Sequence, residues 1–401
     1  MRRDTRKELR ILAMNHIKVR KRTAVMKRYI RHVCIFTGVV IAAAVCACAP
    51  VENQSLSLLG TPRHHVETGL TLMQHGKYRD AEREFDLALR VNSKNAMAHT
   101  GLGILAAYRG NYDAAFDMME EAKECSVTPA EKNFVSVSLI RLYTMSKRGD
   151  WLEKAKEEYN TVTATDPVSP AAHYYMGVAY KEGLKFDKAA QFLAYVLDLN
   201  RGFIKRANRE WRIVRKIQQA APQTMAGKEV AIKDSITRED LAVLLMKELH
   251  VDRMLDSRMP DDAAKEKVAV RHPTDIDDRP RRDDIAVVCR YEISGLNCYD
   301  DGMFHPVDIV TRAALATVVV HILEMVVGDV TGRGSSHPVA IHSFVDVPPD
   351  ASYYRDVMTV VSRNIMTPDL DSENFFVPLG PVSGAEALLV IDRLRQELFL
   401  L

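Results

Sequence analysis

The chain has 401 residues, 47% hydrophobic and 27% charged, with a formal net charge of +2. That length exceeds one ordinary domain and predicts two or three, and the apolar content is that of a folded chain. The charge is uneven: residues 1–32 hold twelve Lys/Arg against two acids, which leaves the rest at −8, and an acidic body excludes general nucleic-acid binding.

The basic segment runs into Val33–Ala49, which contains no charged residue. A positive region followed by an apolar run is the layout of a secretory signal. From Met26 onward, MKRYIRHVCIFTGVVIAAAVCACAP has the proportions of such a signal, so translation from Met26 is expected, with a basic tail of nonstandard length as the alternative. The run ends Val45-Cys46-Ala47-Cys48, which resembles the lipobox of bacterial lipoproteins: an aliphatic residue, a small residue, then the acylated cysteine. Cys46 fits less well, because bulky Val45 would precede it. The resemblance implies a signal peptide over residues 1–47, lipidation of Cys48 and a lipidated linker over 48–61. Acyl chains contribute roughly 0.8 kcal/mol per buried CH₂, so several give a stable membrane anchor. An uncleaved transmembrane anchor and a plain export signal are the alternatives; the run is slightly short of the ~20 residues a span needs. No Asp follows Cys48, which resembles outer-membrane routing and predicts a protein facing the periplasm. In such an oxidising compartment cysteines can pair. Of Cys125, Cys289 and Cys298, an odd count leaves at least one unpaired. Cys289 and Cys298 are the candidate disulfide, with two buried thiols as the alternative.

Residues 62–202 repeat. Gly69, Ala81, Phe85 and Ala88 return 34 residues later as Gly103, Ala115, Met119 and Ala122. Ala155, Tyr159 and Pro167 continue the pattern, and Gly177, Tyr180, Ala189 and Leu193 restore it. Small residues let paired helices approach closely, and the large residue fills the space between them. One pair cannot bury its own apolar face, so neighbours must stack. The period resembles that of the tetratricopeptide repeat (TPR), with four units, the third weakest because Tyr143 stands where the others have glycine. The resemblance implies an α-solenoid whose groove binds a protein or peptide partner, with Glu67, Thr71, His99, His173 and Tyr174 as groove candidates on the first helix of each pair; solvated or core positions are the alternative for each. A rigid spacer is the other use of such an array.

Residues 203–401 repeat differently. The basic segment FIKRANREWRIVRKIQQ, with Trp211, leads to ITREDLAVLLMKEL from Ile236; VTRAALATVVVHIL follows from Val310 and VSGAEALLVIDRL from Val382. The second and third copies are preceded by an Asp-Ile/Val bend, a helix and a Phe-x-Pro loop. This ordered set resembles three S-layer homology (SLH) modules, the first divergent, with the REWRIVRKIQQ helix standing in for its first helix. The resemblance implies a mostly α fold in which the modules form a pseudo-trimer that holds a cell-wall or surface polysaccharide in grooves between them. Thr237, Arg238, Thr311, Arg312 and Trp211 are the glycan-binding candidates. Guanidinium forks suit acidic sugars, and a helix N-terminus favours anions. The third copy carries Ser383 and Gly384 instead of Thr-Arg. Each Thr acting only as a helix cap and each Arg pairing with an acid is the alternative. Asp275 and Asp346 are expected to tie their bends to the first helices.

DIDDRPRRDD fails the calcium-loop template because Pro280 sits where glycine is needed, and no zinc spacing or catalytic triad is present. The sequence therefore predicts no cofactor, metal or enzymatic activity. The expected protein is an envelope lipoprotein that tethers membrane to wall. The runner-up is an accessory of an outer-membrane secretion or export machine that acts through protein contacts alone.

Overall fold

The computed structural model describes residues 60–256, 273–328, 344–368 and 374–400. The expected signal peptide, the lipobox-like segment and Cys48 lie outside the described residues. Among these residues the regular structure is helical, joined by two isolated antiparallel bridges.

Four antiparallel helix pairs come first: α1 (Pro62–Gln74) with α2 (Tyr78–Val91), α3 (Ala96–Tyr108) with α4 (Tyr112–Cys125), α5 (Pro129–Ser146) with α6 (Trp151–Thr165), and α7 (Pro170–Glu182) with α8 (Phe186–Leu199). Their starts follow local chemistry. Asn95 and Asn111 accept from the third amide of their helices, and Thr128 forms a reciprocal capping box with Glu131 ahead of Pro129. Backbone hydrogen bonds hold the Glu131 carboxyl below its usual range.

The repeat residues do what their sizes imply. Phe85 is fully buried, and a Cβ at Gly69 or Gly101 would fall 2.6 or 2.4 Å from its ring. Gly103 meets Met119, and Gly177 meets Leu193, in the same manner. At the third unit Tyr143 packs on Phe116 with ring centroids 5.5 Å apart.

Helix α9 (Ile204–Ala220) follows. It places Ala207 and Val214 in the core of the last repeat, and Ile217 and Ala220 in the C-terminal core. The expected boundary at residue 203 thus falls at a helix that serves both halves. Beyond it come α10 (Met225–Ala231), α11 (Arg238–Leu244, continued by a π-helical turn Leu245–Leu249), α12 (Val251–Asp256), α13 (Arg282–Arg290), α14 (Arg312–Val327), α15 (Tyr354–Ser362) and α16 (Gly384–Leu400). Helix α13 packs on α11, α15 on α14, and α9 with α10 on α16. Each module's first helix therefore rests on the second helix of another module, and the three close into a ring.

The ring is also closed by backbone. Val310 N–H donates to the Ile236 carbonyl at 3.0 Å, Val382 to Val310 at 3.0 Å, and Ile236 to Val382 at 2.9 Å. The next residues but one repeat the scheme outward: Arg238 N–H donates to the Asp308 carbonyl, Arg312 to Gly380, and Gly384 to Lys233.

Candidate functional site

The second helix of each module begins at the ring. Thr237 caps α11 in a box with Asp240, Thr311 caps α14, and the Ser383 hydroxyl accepts from Glu386 N at 3.3 Å. Capping fixes the next side chain so that it reaches into the neighbouring module. Arg238 donates from Nε to the Phe304 carbonyl (2.8 Å), and from its two terminal nitrogens to Gly295 (3.2 Å) and Asn297 (2.7 Å). Its guanidinium carbon lies 4.7 Å from the ring centroids of both Tyr299 and Phe304. Arg312 repeats this one module on, donating to the carbonyls of Phe376 (2.7 Å) and Thr367 (2.6 Å), pairing with Glu386, and lying 4.5 Å from the Phe376 ring centroid. The two arginines are 7% and 9% exposed. Each is a clasp that closes the next module's loop.

The carboxylates of Asp275 and Asp346 hold the same loops from the other side. Asp275 accepts from Phe304 N (2.9 Å) and His305 N (2.7 Å), and Asp346 from Phe376 N (3.0 Å) and Val377 N (2.6 Å). They are structural, as expected, but they grip the Phe-x-Pro backbone rather than the first helix. Chain spacing alone does not reveal this, because the partners lie 29 to 31 residues away.

The third junction is built differently. Module one has α10 in place of a Phe-x-Pro loop, and a Cβ on Gly384 would fall 1.7 Å from the Val230 carbonyl. Glycine is required there by close approach, so this junction has no arginine clasp. The buried Glu248 carboxylate instead accepts from Gln223 N, Thr224 N and the Thr224 hydroxyl.

Cys289 and Cys298 are brought together as thiols, with sulfurs 3.4 Å apart. Burial and the Cys298 thiol push the Cys289 thiol up. The pair brackets Gly295 and Asn297, the carbonyls that Arg238 grips.

On the helical repeats, Glu67 and Thr71 are exposed. His99, His173 and Tyr174 are buried, so they pack between helices and do not line an open groove. His99 Nε2 lies 2.9 Å from the Ser93 carbonyl. His173 bonds to the Tyr159 hydroxyl and the Ser169 carbonyl. Tyr174 stacks on Phe203, and burial pushes its hydroxyl up to about 12. Sequence reading missed the surface strip beside them. The rings of Tyr78 and Tyr108 meet tilted at 35° with centroids 5.0 Å apart, Arg141 lies over Tyr108 (4.9 Å) and Tyr175 (5.6 Å), and Tyr175 meets Phe203. The signal was available in the aromatic side chains left over once the repeat positions are assigned.

Trp211 is half-buried on α9, with the Arg215 guanidinium 5.8 Å from its ring centroid. It lies away from the two arginine clasps in sequence and does not share their contacts. Lys181 and Glu210 form a buried ion pair at 2.8 Å between α7 and α9. Burial alone lowers the Lys181 ammonium, but the carboxylates of Glu210 and Glu182 together outweigh it and the group is held above its ordinary range. Among the described residues no cluster of side chains could hold a metal ion, and no helix is long and apolar enough to cross a membrane.

The repeat spacing and the last module agree with family matches. Residues 66–126 match the tetratricopeptide repeat model, and residues 343–388 match the S-layer homology domain model. The chain carries a TPR region followed by an SLH domain. The first family is one of protein–protein interaction, and the second indicates association with the cell surface or envelope through its glycans. Both are non-catalytic domain families. A solved structure titled "MamA RS-1 ArsTM double mutant" aligns over 42% of this chain and 100% of its own, at 14% identity and a TM-score of 0.26. No curated protein matches the chain.

Proposed function

We propose that this is a non-catalytic envelope lipoprotein in which the SLH-like unit holds a wall or surface polysaccharide, the TPR array holds a protein partner, and acylated Cys48 joins both to a membrane. The observation that carries the reading is the succession of the two families along one chain, with α9 fixing the second to the first. The glycan lies at the module junctions shaped by Thr237, Arg238, Thr311 and Arg312, and Trp211, remote from them, is not part of that site. The protein partner takes the exposed face that includes Glu67, Thr71 and the Tyr108–Arg141–Tyr175 strip. Placement in the outer membrane facing the periplasm belongs to the same proposal.

The closed state of both arginines favours a second reading, in which the SLH-like unit acts through protein contacts only, within an outer-membrane secretion or export machine. Sedimentation of the full chain with purified envelope glycan separates the two. Co-sedimentation that R238K and R312K weaken supports the first reading; none at all leaves the second. Mass spectrometry of the mature N-terminus tests the anchor: an unmodified Cys48 removes it.

A further inference from the structure

The first helices of successive repeats lie side by side, α3 against α5 and α5 against α7, and a row of flat side chains crosses them. Tyr78 opens α2, Tyr108 ends α3, Arg141 lies in α5, Tyr175 lies in α7, and Phe203 immediately precedes α9. Tyr78 and Tyr108 are exposed, and the other three are half-buried. Each step along the row is short. The rings of Tyr78 and Tyr108 are 5.0 Å apart, the Arg141 guanidinium lies 4.9 Å from Tyr108 and 5.6 Å from Tyr175, and Tyr175 is 5.8 Å from Phe203. The row therefore spans roughly 20 Å, about six residues of extended chain. Arg141 stands out by what it does not bond. Arg109 and Arg148, on the same repeats, pair with Glu82 and Asp113; Arg238 and Arg312 spend their donors on carbonyls. Among the described residues the Arg141 guanidinium has its two ring contacts and no hydrogen-bond or ion-pair partner. Its five N–H donors are thus unspent, while two tyrosine faces attract and restrain the charge.

We propose that Arg141 anchors the side-chain carboxylate of an Asp or Glu inside an extended segment of a partner protein, and that the rings on either side take the aromatic or proline residues next to that acid. The proposal rests on the reading of the array as a protein-binding module and names what the module recognises. Charge complementarity selects the anchor group: a planar guanidinium fork matches a carboxylate with two parallel hydrogen bonds. The fork is already restrained by Tyr108 and Tyr175, so binding costs it little further rotamer freedom. The row selects the position of the acid. Rings continue on both sides of Arg141, towards Tyr78 one way and Phe203 the other, so the bound chain also continues both ways. A C-terminal carboxylate would leave one side of the row unused. A single cation among four rings, in an acidic body, does not match nucleic acid, which needs a basic groove beneath its stacked bases.

The test is selection of phage-displayed peptides of about twelve residues, long enough to overspan the row, on the full chain. Enriched peptides should share an internal Asp or Glu flanked by aromatic residues or proline. One such peptide, followed by fluorescence anisotropy, should bind R141Q about tenfold or more weakly, the loss of a charge-assisted hydrogen bond. The same peptide with its acid changed to the amide should show the same loss on the unaltered protein and no further loss on R141Q, which tests the contact even if R141Q unfolds. Amidating the peptide's C-terminus should change nothing, and Y108A should weaken binding severalfold without altering the charge. Equal binding to R141Q overturns the anchor and leaves the array a peptide binder through other residues; no enriched peptide at all overturns both readings. Loss on C-terminal amidation, or binding of oligo-dT in place of the peptides, also overturns the proposal.

Discussion

Arg238 donates its Nε–H to the carbonyl of Phe304 and lies 4.7 Å from the ring centroid of the same residue. One side chain thus reads both the backbone and the ring of the Phe-x-Pro loop one module away. Lysine keeps the charge but not the fork. R238K is expected to lower stability by about 2–3 kcal/mol, the cost of leaving buried carbonyls unpaired, read as a lower urea midpoint at unchanged slope. A change below about 0.5 kcal/mol, the level of a neutral surface substitution, contradicts the clasp.

Arg312 has the same role with an added acid. R312M leaves the Glu386 carboxylate without its partner and should cost about 3–5 kcal/mol. The double variant R312M/E386L should recover part of that loss, because it removes the stranded charge. No recovery in equilibrium unfolding means that the ion pair is not the main contribution.

The third junction should reject the arginine that the other two contain. G384R puts a Cβ against the Val230 carbonyl and is expected to cost about 3 kcal/mol, the upper end of overpacking. G384A should show most of the same loss, since the first carbon makes the clash. A neutral G384A, measured by thermal unfolding, contradicts the close approach.

Oxidation should join Cys289 to Cys298. Each thiol gives up a proton and an electron to an oxidant such as oxidised glutathione, and an S–S bond forms. The product closes the segment that Arg238 grips and is expected to raise the melting temperature, with the gain lost in dithiothreitol and in C298S. Peptide mapping under non-reducing conditions locates the bond; both thiols still alkylated after oxidation excludes it.

Tyr174 and Tyr291 both have hydroxyls pushed up to about 12, chiefly by burial; for Tyr291 the Asp256 hydrogen bond adds to this. In the unfolded chain they ionise near 10. A group whose folded value is raised adds stability below the unfolded value and loses it as pH rises through the folded one. Stability should therefore fall between about pH 10 and 12. Absorbance titration should show the two late tyrosines, and Y174F should flatten part of the alkaline loss.

The fold was legible where a residue's size is its signal. Gly69 and Phe85 announce a tight helix pair, and Thr237, Thr311 and Ser383 announce three helix starts, since both depend on neighbours within a few residues or one repeat. The candidate site was less legible because its partners are remote. Arg238 reads as a free cation in sequence, yet its three acceptors lie 57 to 66 residues away. His173 and Tyr174 look like groove residues by repeat position, but Phe203 and Tyr159, from other elements, enclose them. The divergent first module was visible as a missing motif, but its replacement by α10 and Glu248 was not, because no local pattern links Gln223 to a carboxylate 25 residues on.

Helix α9, with Ala207 and Val214 in one core and Ile217 and Ala220 in the other, leaves no slack between the two halves. If the C-terminal half is held by a wall as proposed, tension on it would pass along this one helix to the last repeat. A cut on either side of that helix would strip one half of its lid, so neither half is expected to survive as a clean fragment.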